Sequence, residues 1–280
     1  MKQQGINELR KKTIDLKKKV LKMIYEAQSG HPGGALSSAD FTAVCYFHEM
    51  KYDPKNPKWE DRDRFILSKG HVCPVQYAAL ATVGFFDVSE LDTLRKEGSK
   101  LQGHPDMKKC PGIDISTGSL GQGLACGVGM AIAAKRDKKD YRVFVVIGDG
   151  ETQEGEIWEA ANTAHKYELD NLIAFVDVNN LQLDGITDEV MPNGDLGEKF
   201  KAFGWDVYEV NGNDIAAIVK TFDQIRMTKT KRPKCILGHT VKGNTVSYME
   251  NKANWHGVAP NEEEYKLAIQ ELDDLLATID

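Results

Sequence analysis

Two short words in the chain combine residue types able to grip a metal-bound phosphate. Gly148-Asp149-Gly150 follows the apolar run 143–147, and Asn179-Asn180 follows a second such run, 172–178. One carboxylate and one amide oxygen, completed by a carbonyl from the next loop, suit a hard cation such as Mg²⁺, Ca²⁺ or Mn²⁺. Three protein ligands leave an octahedral ion several open positions, which fits an ion that also holds a ligand's phosphate oxygens. The glycines beside Asp149 let a diphosphate approach the backbone at the N-terminus of the following helix. Singly, the first word is an ordinary strand-to-helix turn and the second an ordinary turn. Their pairing carries the information. Other phosphate signatures fail, because 238–244 has Walker-like glycine spacing without the Gly-Lys-Ser/Thr ending and no GxGxxG follows a strand.

Histidine is the other chemical resource. His31, His71, His104 and His256 stand in loops rich in glycine and proline, and an imidazole titrating near neutrality can donate or accept a proton. A lone loop histidine more often caps or packs, and nothing around His48, His165 or His239 assigns them a role. The five cysteines, Cys45, Cys73, Cys110, Cys126 and Cys235, show no CxxC spacing. They read as packing residues in a reducing compartment, with neither a disulfide framework nor a zinc site.

The elements that must position these groups follow from periodicity. The runs 143–147 and 172–178 read as parallel strands buried on both faces, joined by a helix over 154–167. Further strands are expected at 64–68, 206–210 and 234–240. Helices are expected at 38–50, 75–83, 88–98 and 213–227, and a segment rich in Gly and Ala runs from 118 to about 135. This alternation predicts an α/β fold, a doubly wound and mainly parallel sheet with helices on both faces. In such sheets ligands bind beyond the carboxyl ends of the strands, where both words sit.

The charge balance, 36 Lys+Arg against 42 Asp+Glu for a net −6, is ordinary for a globular protein. Residues 1–22 carry eight Lys/Arg and two acids. Leu9, Thr13, Leu16, Val20, Ile24 and Ala27 recur there at helical spacing, so the lysines read as a solvated helix face rather than a nucleic-acid arm. The acidic end reads likewise, with Tyr265, Ala268, Leu272, Leu275 and Ile279 as its apolar stripe and Asn261 opening the helix. No apolar run reaches the roughly 18–20 residues that span a bilayer, and the first twenty residues are too polar for a secretory h-region. The expectation is a cytoplasmic protein with no nucleic-acid or membrane partner.

The two metal words stand thirty positions apart, and that arrangement resembles the thiamine diphosphate signature. Six words, in order, narrow the resemblance to transketolase: Ser29-Gly30-His31-Pro32-Gly33, Ser68-Lys69-Gly70-His71, Gly103-His104-Pro105, 117–123, 148–155 and 256–260. The resemblance implies that Asp149, Asn179 and the Leu181 carbonyl hold the divalent ion. It implies that His71, Gly150 and His256 contact the diphosphate and that Gly118 and Leu120 line the aminopyrimidine pocket. His31, His104 and His256 would face the substrate carbonyl and hydroxyls. Glu154 and Glu159 match glutamates at the family's subunit interface that couple two active sites.

Full-length transketolases are more than twice as long and continue with a pyrimidine-binding domain, which supplies a glutamate to the pyrimidine ring, and then a third domain. The chain therefore resembles a single diphosphate-binding domain, 1–280, serving as the N-terminal subunit of a split transketolase. The missing half is expected on a C-terminal partner subunit in an α2β2 assembly that passes a two-carbon ketol unit from a ketose to an aldose, typically as sugar phosphates. A ketol transferase for a sulfonated or branched sugar would keep the same words. A 1-deoxyxylulose-5-phosphate synthase is a further relative to weigh, although the His31, His71 and His104 set favours transketolase. A non-catalytic regulatory remnant would have no need of the complete constellation.

Overall fold

Strands that are apolar on both faces belong at the middle of a sheet, and the two metal words grow from such strands. The structure, a computed structural model, describes residues 1–280. In chain order it begins with α1 (Gln3–Ala27), α2 (Pro32–Ser37), α3 (Ala39–Val44), β1 (Arg64–Leu67) and α4 (Pro74–Thr82). It continues through α5 (Gln122–Arg136), β2 (Val143–Gly148), α6 (Gly155–Lys166) and β3 (Leu172–Val178). A small hairpin, β4 (Leu181–Gln182) and β5 (Gly185–Ile186), and a helical turn, α7 (Thr187–Val190), follow. The remainder is α8 (Leu196–Ala202), β6 (Asp206–Asn211), α9 (Ile215–Met227), β7 (Lys234–His239) and α10 (Glu262–Ala277).

Five strands form one wholly parallel sheet in the order β1-β2-β3-β7-β6. Every residue of β2 is buried. Alternate side chains serve two layers, as the twofold period of a strand requires. Phe65, Phe144, Phe175 and Ile236 join a core with α1, α3, α4 and α9. Ile66, Val145, Ala174 and Cys235 join a second core with α5, α6 and α8. The chain leaves β1 toward the first layer and β2 toward the second. Their outgoing loops therefore diverge and open a crevice at the carboxyl edge, where ligands bind in such sheets. Register keeps that edge level, with Gly148 beside Asp177 and Asp177 beside Gly238.

The basic and acidic ends pack together: Ile14 and Leu21 of α1 meet Ala268 and Leu272 of α10. Asn261 opens α10 with a full capping box to Glu264, which satisfies two free backbone donors at that end. The two ends are thus opposite sides of one helical layer.

One local expectation needed correction. The helix expected over 88–98 is only a tight turn, Val88–Thr93, because the chain turns extended at Leu94 and left-handed at Arg95, φ +59°. The helix expected over 38–50 forms, α-helical over Ala39–Val44 and with wider, π-type bonding over Cys45–Glu49. The helix expected over 154–167 stands at Gly155–Lys166, and a short 3-10 turn (Gly150–Gln153) separates it from Asp149. The Gly150 amide accordingly serves the Asp149 carboxylate, at 2.8 Å, rather than opening a long helix.

Candidate active site

The carboxyl ends of β2 and β3 bring the two words to one turn. Asp149 Oδ2 accepts the Asn180 amide at 2.6 Å, and Asn179 Oδ1 accepts the next amide, Leu181, at 3.1 Å. Two side-chain oxygens, one from each word, are thus held by consecutive amides of one loop. Asn180 reaches this arrangement through a left-handed backbone, φ +60°, which asparagine tolerates better than most residues. The Leu181 carbonyl already receives a cation, the Lys242 ammonium, at 3.2 Å. No group of three His, Cys, Asp or Glu side chains is placed to hold a metal. The donors are thus one carboxylate and two neutral oxygens, a set suited to a hard ion that keeps other ligands.

Burial governs the charges. Asp149 is 4% exposed, and burial together with the nearby Asp177 carboxylate pushes its carboxyl up to about 6. Asp177, fully buried on β3, behaves oppositely. Burial pushes its carboxyl up, but the Lys69 ammonium and the hydrogen bonds from Lys69, Ser37 and Thr240 outweigh it and hold the group below the usual carboxylate range. Lys242 is as buried as Lys69, yet its Nζ meets only neutral groups, the Leu181 carbonyl and His256 Nδ1 at 2.9 Å. Burial first, and Lys69 next, lower its ammonium to about 8. A buried cation with no carboxylate against it is matched to an anionic ligand.

Three imidazoles form the opposite wall. His31, His71 and His256 pack with ring centroids 5.0, 5.5 and 5.2 Å apart. Burial lowers them to about 4, about 2 and about 3, respectively. All three are neutral at neutral pH, so they can hydrogen-bond to a substrate oxygen without adding charge. His31 Nδ1 is buried with no partner in the chain, which leaves it for a ligand.

One cleft of about 390 Å³ joins these groups, with Gly118, Leu120, Gly150 and Glu154 also on its walls. His104 and Glu159 do not line it. His104 stands at the rim, its ring so close to Gly118 that a Cβ there would come within 3.0 Å of it. Glu159 lies exposed on α6. Of the unassigned histidines, His165 packs under Gly204, His239 faces Glu209 on the surface and His48 lies beside Glu49.

Several residues of the site escaped sequence reasoning. Lys69 sits inside the Ser68–His71 word without an assigned role, and Lys242 sits inside the Walker-like stretch 238–244. Glu151 ties three loops together, accepting Ser68 Oγ, the Gly121 amide at 2.8 Å and the Gly148 amide at 3.1 Å. Asp177 carried no signal, since an acid within an apolar run shows its partners only in three dimensions.

Comparisons with known proteins show which family the chain resembles. The family model described as transketolase, thiamine diphosphate binding domain, matches residues 6–273. The chain is 44% identical over 264 residues to one of the subunits of the apulose-4-phosphate transketolase of Phocaeicola vulgatus, covering 94% of this chain and 93% of that one. It is 45% identical over 258 residues to the 6-deoxy-6-sulfo-D-fructose transketolase subunit SqwG of a Clostridium species, covering 92% and 94%. The solved transketolase of Campylobacter jejuni superposes with a TM-score of 0.89 at 34% identity, over 98% of this chain and 43% of that chain. The chain thus spans less than half of that solved transketolase and nearly the whole length of the two subunit relatives.

Proposed function

The chain belongs to the transketolase thiamine diphosphate binding domain family, and from that membership we propose that it is the diphosphate-binding subunit of a two-chain transketolase. Residues 1–280 act as one diphosphate-binding domain. Asp149, Asn179 and the Leu181 carbonyl hold Mg²⁺, while Gly150, His71, His256, Lys69 and Lys242 face the diphosphate. Gly118 and Leu120 flank the aminopyrimidine. Bound thiamine diphosphate supplies the nucleophilic carbon and electron sink for ketol transfer. The chain's own part is to hold the diphosphate, keep the three cleft imidazoles uncharged, and present His31, His104 and His256 to the sugar's carbonyl and hydroxyls.

The observation that carries this reading is the shared turn of Asp149 and Asn179 beside a buried lysine that lacks a carboxylate. The Phocaeicola and Clostridium relatives, which match at nearly full length, are named as subunits, which supports a partner carrying the pyrimidine-binding half. Exposed Glu154 and Glu159 then lie where protomers meet, in an α2β2 assembly. Five free cysteines, four of them buried, suit the cytoplasm. The chain mixed with its partner should transfer a two-carbon ketol unit only when thiamine diphosphate and Mg²⁺ are both present. Absence of transfer over a panel of ketose donors would refute the assignment. The relatives' names, one a branched-sugar phosphate and one a sulfo-sugar, favour placing such donors on that panel.

A further inference from the structure

Arg95 is the one arginine of eight without a carboxylate partner; each of the other seven lies within 4.0 Å of an Asp or Glu. Its Nε is buried and meets no hydrogen-bond acceptor, while Nη1 donates to Ser29 Oγ at 3.1 Å. Its backbone is left-handed and its amide donates to the Leu101 carbonyl at 2.8 Å. A non-glycine residue keeps that conformation where its surroundings over-determine it. On its other side the guanidinium lies against Gly103, where a Cβ would come within 2.9 Å of Cζ. Ser29 stands two residues before His31, and Gly103 immediately precedes His104. The group is wedged between the two loops that carry these histidines.

We propose that Arg95 is a positioning residue that ties the His31 and His104 loops together and sets its unpaired charge beside both imidazoles, which meet the sugar as hydrogen-bond partners. The proposal rests on the ketol-transfer reading of the site. The charged or titratable groups bearing on His31 are Arg95, His104 and Lys242, with the His71 and His256 rings packed against it; none is a carboxylate. Arg95 is the charged group that bears on His104. Burial is the larger cause of the lowering at both histidines, and Arg95 is the next. A carboxylate on the guanidinium would cancel its field at short range. Its lack of one lets the charge act on the imidazoles.

The test follows the His31 and His104 rings by NMR titration of the full chain, which needs neither partner nor cofactor, alongside the pH profile of kcat/KM in the reconstituted pair. Arg95→Gln keeps an amide donor and removes the charge. Both histidine midpoints should then rise, and the acid limb of the profile should move to higher pH. Arg95→Lys should restore both. Midpoints unchanged in Arg95→Gln overturn the proposal. Should that variant not fold, Ser29→Ala, which removes the guanidinium's acceptor on the His31 loop, decides: a shifted His31 midpoint supports the tie and an unchanged one overturns it. Lack of ketol transfer by the unsubstituted pair would refute the functional reading and leave the titration to decide on Arg95.

Discussion

At the scale of single residues, the site is a balance of buried charges. Asp149 must be ionised to take a metal ion, and burial raises its carboxyl to about 6. Below that pH it holds a proton the ion must displace, and above it none. Mg²⁺-dependent binding of thiamine diphosphate should therefore weaken about tenfold per pH unit below 6 and level off above 7. Calorimetric titrations from pH 5 to 8 measure this, and equal affinity at 5 and 7 would contradict it. Asp177 makes a different prediction. Its removal in Asp177→Ala leaves Lys69 buried without a counter-charge and strips the acceptor from Ser37 and Thr240. The expected loss is about 3–5 kcal/mol by urea unfolding, and Lys69→Met should recover much of it in the double variant.

At the scale of elements, close approach decides where loops go. Gly123 lies in the first turn of α5 against the end of β1, where a Cβ would sit 2.5 Å from Ser68 Cβ and 2.7 Å from its Cα. Gly123→Ala should cost about 1–3 kcal/mol, since backbone must shift to make room. Gly129, two turns along the same helix, has nothing within 4 Å of such a Cβ. Gly129→Ala should instead stabilise the chain by about 0.5–1 kcal/mol. Thermal melts of the two variants should move in opposite directions, and a shared sign would refute the packing argument. These elements also show where periodicity reads well. The strands expected at 172–178 and 206–210 and the helices expected at 154–167 and 213–227 stand within two residues of where apolar spacing placed them, because burial on a sheet face is a local pattern. Residues 88–98 are apolar at helical spacing too, yet Arg95 turns left-handed under contacts from Ser29 and Gly103, which lie far away in the chain.

At the scale of the whole molecule, the cleft is half of a site in the proposed assembly. Glu159 is exposed and makes no side-chain bond within the chain. Glu159→Gln should leave the chain's own unfolding within about 0.5 kcal/mol of the original. Its effect should appear only on assembly, as weaker association of protomers in sedimentation or as altered cofactor saturation. A substantial loss of stability in the isolated chain would show that Glu159 is structural.

The sequence by itself determined the sheet class, the alternation of its principal strands and helices and the two words that meet at the strand ends, because alternation of apolar runs and two short words are local properties. It also named the cleft histidines, through words whose order is preserved along the chain. Only the tertiary structure decided which cations line the cleft, that Asp177 is the counter-charge of Lys69, and that Arg95 stands without one. Those facts depend on which charges come within a few ångströms after folding, in a low dielectric where pairing or its lack outweighs composition, and spacing along a chain does not encode distance through its core.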